Sequence, residues 1–168
     1  MKTHAAVMTA LTAAYQDGRP FNTVTVTEIV ANAGVSRATF YRRYQNLGDV
    51  LIVALMAVLH QFEQRVDARA SIDFEQGTTI ITALIREHGQ LIRLLQWANQ
   101  REAAEQLITG EVLNVLTLRD HQAAHRQLIG ACMGATLWAF ASQIAALSPT
   151  PSLDEVRTLY QLLVSHQL

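Results

Sequence analysis

The sequence predicts an all-α protein. Apolar residues recur at helical spacing along most of the 168 residues, and the alternation that is typical of β-strands does not persist. Only eight glycines and three prolines interrupt the chain, and half of the residues are apolar, as in a globular protein of one large or two small domains. Several segments also begin with N-terminal capping patterns. We therefore expect short N-terminal helices that a long fourth helix joins to a helical body.

The first two helices are predicted from a turn and a capping pattern. A helix over residues 3–16 is stopped by DGRP, a turn-forming sequence. In the following VTVTEIVANA, Thr25 and Glu28 have the spacing of a capping box. Val24 and Ile29 occupy the flanking positions of a hydrophobic staple. The second helix therefore has a well-marked start.

A third helix follows after a short turn. Gly34 ends the second helix, and Ser36 is the next N-cap, with Val35 and Phe40 at staple positions. Two short capped helices joined by three or four residues that include a glycine have the sequence form of a helix-turn-helix. Asn46 is the N-cap of a long, apolar-rich fourth helix over residues 47–70.

The rest of the chain is also predicted to be helical. Ser152 and Glu155 have capping-box spacing just after SPTP, which breaks the chain sharply. The predicted helices cover residues 74–88, 90–99, 101–109, 111–119, 120–147 and 153–166.

The segment LIGACMGATLWAFASQIAAL, residues 128–147, allows two interpretations. It has twenty residues without a charge and contains the pattern Gly130-x-x-x-Gly134, which fits a transmembrane dimerisation helix. Its polar residues, its many alanines and the amphipathic helix that follows favour a buried core or dimer helix of a soluble protein. We expect the second arrangement and no membrane partner.

Charge and cysteine content narrow the classes of function. The net charge is −1, but residues 1–50 hold five Lys or Arg against three Asp or Glu, so a mildly basic N-terminal part precedes an acidic body. The single cysteine, Cys132, excludes a disulfide framework and is expected to be a buried thiol. The first residues lack the pattern of a signal peptide, and we expect a cytoplasmic protein.

The third helix carries an unusual set of side chains. Steps of 100° per residue place Phe40 and Tyr44 on one face, towards the core. The opposite face is small, hydroxyl-bearing and cationic, which suits the DNA major groove, where arginine pairs with guanine and a threonine methyl contacts thymine. The DNA contacts predicted from these faces are Arg37, Ala38, Thr39, Tyr41, Arg42 and Arg43, with Thr25 or Thr27 on the phosphate backbone. The alternative is an ordinary solvated helix face.

Residues 21–51, FNTVTVTEIVANAGVSRATFYRRYQNLGDVL, closely resemble the DNA-binding region of TetR-family (TetR/AcrR-type) transcriptional regulators. The matching residues are Thr25-Val26 with Ile29, Ala33-Gly34-Val35-Ser36, Phe40-Tyr41, Tyr44, and Asn46 with Asp49 and Leu51. The resemblance covers about the first third of the chain and implies that Ser36 joins the DNA-contacting set. One departure is Leu47, where the family usually has a lysine that contacts phosphate.

The resemblance implies a helix-turn-helix DNA-binding domain over residues 1–46 and a helical effector-binding and dimerisation domain over residues 47–168. Residues 125–168 resemble the last two family helices, which pack against those of a partner as a four-helix bundle. Dimer contacts are then expected at Gly130, Gly134, Trp138, Leu159 and Leu163. An effector pocket among the middle helices has Phe62, Trp97 and Met133, with His60 and His88, as candidate lining residues.

The expected function is that of a sequence-specific DNA-binding transcriptional regulator. We expect a repressor that binds a near-palindromic operator as a homodimer and is released by a small-molecule effector. A protein-interaction module of the same fold, which does not bind DNA on its own, is the alternative. The six histidines are scattered, and neither His-Glu-x-x-His nor a nucleophile elbow is present, so we expect no enzyme, no metal and no cofactor.

Overall fold

A computed structural model describes residues 2–69, 73–118 and 125–164, with only the backbone of Leu118, and confirms the all-α prediction. The helices are α1 (Lys2–Gln16), α2 (Val26–Asn32), α3 (Arg37–Tyr41), α4 (Leu47–Asp67), α5 (Phe74–Glu87), α6 (Gly89–Trp97), α7 (Arg101–Leu118), α8 (Arg126–Ala146) and α9 (Leu153–Val164). The predicted helix ends at residues 70, 119–120 and 166 lie outside the described residues.

Helix α4 connects two parts of the fold. We call α1, α2 and α3 the head, and α5 to α9 the body. Helix α4 packs against α1 in the head and against α5, α6 and α7 in the body, while α6 also contacts α1. One cluster of buried apolar residues extends from Val7 and Phe40 in the head through Leu51 to Leu95 and Val156 in the body. Head and body therefore share one continuous core.

Both predicted capping pairs make the N-cap hydrogen bond, and one of them forms the complete reciprocal box. The Thr25 hydroxyl accepts a hydrogen bond from the Glu28 backbone nitrogen at 3.2 Å. The Ser152 and Glu155 pair is reciprocal: the Ser152 hydroxyl accepts from the Glu155 nitrogen at 3.2 Å, and the Glu155 carboxylate accepts from the Ser152 nitrogen at 2.7 Å. The Glu28 carboxylate also pairs with Arg19, which lowers the pKa of Glu28. The capping signals therefore fix the starts of α2 and α9.

The turn between α2 and α3 has the predicted glycine in a left-handed conformation. Gly34 has a φ of +63°. The Val35 nitrogen donates to the Val30 carbonyl at 2.9 Å, and the Gly34 nitrogen donates to the Ala31 carbonyl at 3.1 Å, a Schellman-type helix end. A Cβ at position 34 would meet no atom within 4 Å. The constraint at Gly34 is therefore its backbone conformation alone.

Helix α7 corrects the prediction of two helices over residues 101–109 and 111–119. It continues through Gly110 as one helix to Leu118. A glycine in a helix interior costs only about 1 kcal/mol relative to alanine, and the extensive contact of α7 with α8 outweighs that cost.

The predicted dimer contacts Gly130, Gly134 and Trp138 are buried within the chain, and the two glycines pack against α7. A Cβ on Gly134 would lie 2.2 Å from the Thr109 hydroxyl oxygen, and one on Gly130 would lie 2.7 Å from a Leu113 methyl carbon. Trp138 is only 4% exposed. The two glycines allow α7 and α8 of one chain to approach closely, and the same small residues would equally suit contact between chains.

The opposite side of α8 faces outward. Cys132 is exposed there, so the prediction of a buried thiol is wrong. By length and composition alone, helices α4 and α8 could each cross a membrane. In their 18-residue apolar stretches, 28% and 39% of the residues are buried within the protein. Core helices of globular proteins share this property, so it is weak evidence for a membrane span.

Replacement of Gly134 by alanine is expected to lower the free energy of unfolding by about 1–3 kcal/mol, because the new methyl overlaps Thr109. Gly110→Ala is the matched control on α7, since a Cβ there meets nothing within 4 Å. That variant is expected to raise stability by up to about 1 kcal/mol. Urea unfolding measures the free energy of unfolding of both variants. The same change in stability for Gly134→Ala and Gly110→Ala would contradict the close packing of α7 against α8.

Gly34→Ala is expected to destabilise the protein by about 1–2 kcal/mol, the cost of a left-handed alanine. Gly34→Asn should lose less, because asparagine tolerates this conformation. Thermal unfolding of the two variants gives the comparison. An alanine variant as stable as the wild type would mean that the turn does not require a positive φ.

Candidate nucleic-acid interface and body cavity

The outer face of α3 has the predicted arrangement of side chains. Phe40 and Tyr44 are 0% and 4% exposed and pack in the core. Thr39 is half-buried. The other predicted DNA-contacting residues are exposed: Thr25, Thr27, Ser36, Arg37, Ala38, Tyr41, Arg42 and Arg43. The head therefore presents a small, hydroxyl-bearing and cationic surface, although contact of these residues with DNA stays a prediction.

A chain of hydrogen bonds organises this surface. The Ser36 hydroxyl accepts from the Thr39 nitrogen at 3.1 Å and donates to the Thr39 hydroxyl oxygen at 2.9 Å. The Arg42 Nη2 donates to that same oxygen at 3.1 Å. Because the Thr39 oxygen accepts both bonds, its own hydroxyl proton is left to donate to another group. One cation and two hydroxyls are thereby aligned.

The Tyr41 ring is supported from two sides, which directs its hydroxyl to solvent. Its side chain is 50% exposed. It lies edge-on to Phe40, with ring centroids 5.3 Å apart, and the Arg37 guanidinium carbon is 6.0 Å from its centroid. On the core side, the Tyr44 hydroxyl bonds to His4 Nδ1 of α1 at 2.8 Å. Burial lowers the pKa of His4. These contacts hold α3 against α1.

The start of α4 differs from the family pattern in a second way. Leu47 is 5% exposed and belongs to the core, so it cannot contact a phosphate. Asn46 caps α4 by accepting from the Asp49 nitrogen at 3.0 Å, and the Asp49 carboxylate accepts from the Gln45 nitrogen at 2.7 Å. That carboxylate already compensates the positive end of the helix dipole. A phosphate contact from the α4 N-terminus itself, in place of the lysine usual in the family, stays a prediction.

The body contains a partly open cavity of about 210 Å³ between α4 and the helices around it. Its lining is mostly apolar and comes from α4, α5, α6, α7, α8 and α9. Among the predicted effector-pocket residues, Phe62, Met133 and His88 line it. Other lining residues are Leu55, Val58, Leu59, Ile81, Leu84, Ile85, Leu91, Ile92, Ile108, Glu111, Val112, Val115, Leu116, Leu137, Trp138, Ala141 and Tyr160.

Three polar side chains in the lining have pKa values shifted from their usual ranges. Burial and the neighbouring carboxylates of Glu63 and Asp67 raise the pKa of Glu111 to about 7. Burial lowers the pKa of His88, whose Nε2 lies 3.3 Å from the Gln61 side-chain oxygen. Burial also raises the pKa of Tyr160. The sequence analysis did not identify Glu111 and Tyr160 as lining residues. For Glu111, the available signal was a carboxylate within an apolar face of its helix.

The predicted lining residues Trp97 and His60 do not reach the cavity. Trp97 packs edge-on against Tyr15 and Phe21, with centroids 5.6 and 4.9 Å apart, and its Nε1 donates to the Arg19 carbonyl at 2.7 Å. It therefore joins α6 to the head. His60 is exposed and contacts the Glu63 carboxylate at 3.0 Å.

Several large apolar side chains of α8 and α9 are exposed, and these residues are here called the outer face of the body. Leu159 and Leu163, two of the predicted dimer residues, are 43% and 52% exposed there. The other exposed large apolar side chains of these two helices are Leu128, Ile129, Met133, Leu153 and Leu162. The sequence of α8 has no charge after Arg126. Within residues 2–69, 73–118 and 125–164, no cluster of three or more His, Cys, Asp or Glu could hold a metal.

The fold matches solved structures, whereas the sequence matches no family model and no curated protein. Lin0861 from Listeria innocua aligns over 96% of this chain and 88% of its own, with 22% identity and a TM-score of 0.87. The fatty acid degradation regulator FadR from Bacillus halodurans aligns over 98% of this chain and 96% of its own, with 16% identity and a TM-score of 0.58.

At these identities the likeness concerns the fold. It extends over head and body, since nearly the whole chain is aligned in both cases. The chain therefore shares its all-helical fold with these two proteins.

Proposed function

We propose that this protein is a sequence-specific DNA-binding transcriptional regulator, a cytoplasmic repressor without enzymatic activity that binds a near-palindromic operator as a homodimer. A small molecule bound in the body cavity would release it from DNA. The observation that carries the proposal is the outer face of α3, where Arg42, Thr39 and Ser36 are aligned on a helix whose opposite side is held in the core.

The chemistry of this face favours base reading over a purely electrostatic role. An arginine pairs with both acceptors of guanine in the major groove, and a small residue such as Ala38 lets the helix approach the bases. Tyr41, on the flank, has a hydroxyl that suits a phosphate contact. The head carries several cations, but the whole chain has a net charge of −1, so non-specific attraction to DNA would be modest.

A homodimer follows from the size of the reading surface. One short helix contacts only a few base pairs, which gives little discrimination against a genome of competing sites. A two-fold axis doubles the contacts and places two reading helices about one DNA turn, ~34 Å, apart. The outer face of the body supports this arrangement, because it is apolar and lacks charge along α8.

The release step rests on the helices that the cavity and the head share. Leu55 and Phe62 of α4, and Leu91 and Ile92 of α6, line the cavity. Helix α4 also packs against α1, and Trp97 at the end of α6 bonds to the head. A ligand shifts DNA affinity only if it binds the released conformation more tightly than the bound one.

Selection of bound sequences from random duplex DNA tests the proposal. A direct regulator enriches a near-palindrome whose half-sites give the spacing of the two heads. A titration of salt on the selected duplex should then show a steep loss of affinity. No enrichment would favour the interaction module of the same fold, which acts through another regulator.

Arg42→Ala is expected to weaken binding to the selected duplex by about 1–3 kcal/mol and to relax preference at one base position in each half-site. Tyr41→Phe is the comparison, because loss of a phosphate contact weakens all duplexes alike. Competition with single-base variants of the duplex separates the two roles. A uniform loss for Arg42→Ala would mean that this arginine contacts phosphate only.

The protein is expected to be a dimer at micromolar concentration without DNA, and Leu162→Arg should yield monomers that bind the operator poorly. Leu162 is 69% exposed, so the charge disturbs an interface without entering the core. Met56→Arg on α4, where Met56 is 53% exposed, is the control and should stay dimeric. Size-exclusion chromatography with light scattering measures the mass. A dimeric Leu162→Arg variant would place the interface elsewhere.

A further inference from the structure

We propose that the body cavity binds a small lipophilic cation, an amine or quaternary ammonium ion with an apolar group of a few carbons around it. This inference rests on the proposed effector role of the cavity and adds the charge and chemical class of the ligand.

The apolar lining requires a mainly hydrocarbon ligand. The cavity volume of about 210 Å³ equals roughly seven times the ~30 Å³ that a water molecule occupies in the liquid. Most of the wall consists of Leu, Ile, Val and aromatic side chains, which cannot hydrogen-bond a sugar or a nucleotide. A compact apolar ligand is therefore expected, with polarity at one point only.

The charged point of the wall is negative. Glu111 of α7 lines the cavity, with Glu63 and Asp67 of α4 beside it. Burial and these two neighbouring carboxylates raise the pKa of Glu111 to about 7. Neither Lys nor Arg lines the cavity among the described residues, since Arg65 is turned to the Glu87 carboxylate at 2.7 Å. An anionic ligand would meet repulsion, whereas a cation would find a partner.

Three aromatic rings add to the preference for a cation. Phe62 of α4, Trp138 of α8 and Tyr160 of α9 all line the same cavity as Glu111. Aromatic side chains attract quaternary ammonium ions through the negative faces of their rings. An acidic group and several aromatic side chains in one mostly apolar cavity form a combination that a neutral hydrocarbon would not need.

The carboxyl group also makes binding depend on pH. Burial and its acidic neighbours raise the pKa of Glu111 to about 7 in the free protein, and a bound cation would lower it. Binding then releases a proton, so affinity rises as pH rises and levels off above the free pKa. From pH 6 to pH 8 the ionised fraction of Glu111 grows about tenfold, and so does the expected affinity.

The other titratable groups around Glu111 do not reverse the expected increase of cation affinity with pH. They are Glu63 and Asp67 on α4, His60 against Glu63, His88 at the end of α5, and Tyr160 on α9, while α6 and α8 line the cavity with apolar residues. Deprotonation of His88 would act in the same direction, but burial lowers its pKa and moves that effect to lower pH.

The test uses phenyltrimethylammonium and its neutral isostere tert-butylbenzene, in which carbon replaces nitrogen. Calorimetric titration of the full chain with the cation, and competition by the isostere, are run at pH 6, 7 and 8. The cation should bind about tenfold more tightly at pH 8 than at pH 6, whereas affinity for the isostere should not change.

Three variants assign the effect to a residue. Glu111→Gln should lower affinity for the cation at least tenfold at pH 8 and flatten its pH dependence, with the isostere unaffected. Glu63→Gln should keep the affinity at pH 8 but move the pH rise downward, because Glu111 then loses its acidic partner. Glu102→Gln on the exposed start of α7 is the charge-matched control and should behave as wild type.

Each failure has a distinct meaning. Absence of cation binding, or a Glu111→Gln variant with unchanged cation affinity, overturns the ligand class. If the isostere then binds and weakens operator binding, the proposed effector site still stands. If the cation binds with the expected pH dependence but operator affinity is unchanged, the ligand class stands and the release step of the proposed function is wrong.

Discussion

The close contact of α7 with α8 is the constraint on which the body depends. Gly130 and Gly134 leave no room for a Cβ against Leu113 and Thr109, so this side of α8 can face only α7. Once that side is fixed, the helical repeat turns Trp138 into the cavity and Cys132 to the exterior. The close contact of α7 with α8 therefore determines both which residues of α8 line the cavity and which residues form the outer face of the body. Helix α9, which contacts α5, completes both surfaces.

The head could be predicted from sequence almost residue by residue because its information is local. The starts of α2, α3 and α4 are marked by a hydroxyl or amide N-cap, which accepts from the backbone nitrogen three residues later. The turn between α2 and α3 is marked by a glycine. The outward set on α3 follows from the helical repeat once Phe40 is assigned to the core. At the start of α4 the predicted cap Asn46 is confirmed, whereas the burial of Leu47 in the core and the bond from the Gln45 nitrogen to the Asp49 carboxylate were not predicted. A side chain bonded across a helix end becomes visible only in three dimensions.

The body was less predictable because small and apolar residues fit several environments. A charge-free helix with Gly130 and Gly134 suits a membrane, a dimer or an intrachain contact, and only the neighbour that fills the space decides among them. The cavity depends on six helices whose mutual positions no local pattern encodes. Trp97 was assigned to it by hydrophobicity alone, although its indole nitrogen needed a hydrogen-bond partner and found the Arg19 carbonyl.

The placement of the two tryptophans has a practical consequence for spectroscopy. Trp138 lies in the cavity wall, and Trp97 lies at the contact between α6 and the head. These are the only indoles of the chain, so its intrinsic ultraviolet emission comes from these two positions. Variants with a single indole would report separately on occupancy of the cavity and on movement of the head. The time order of the two signals after rapid mixing would then distinguish a ligand that drives the rearrangement from one that selects a rearranged protein.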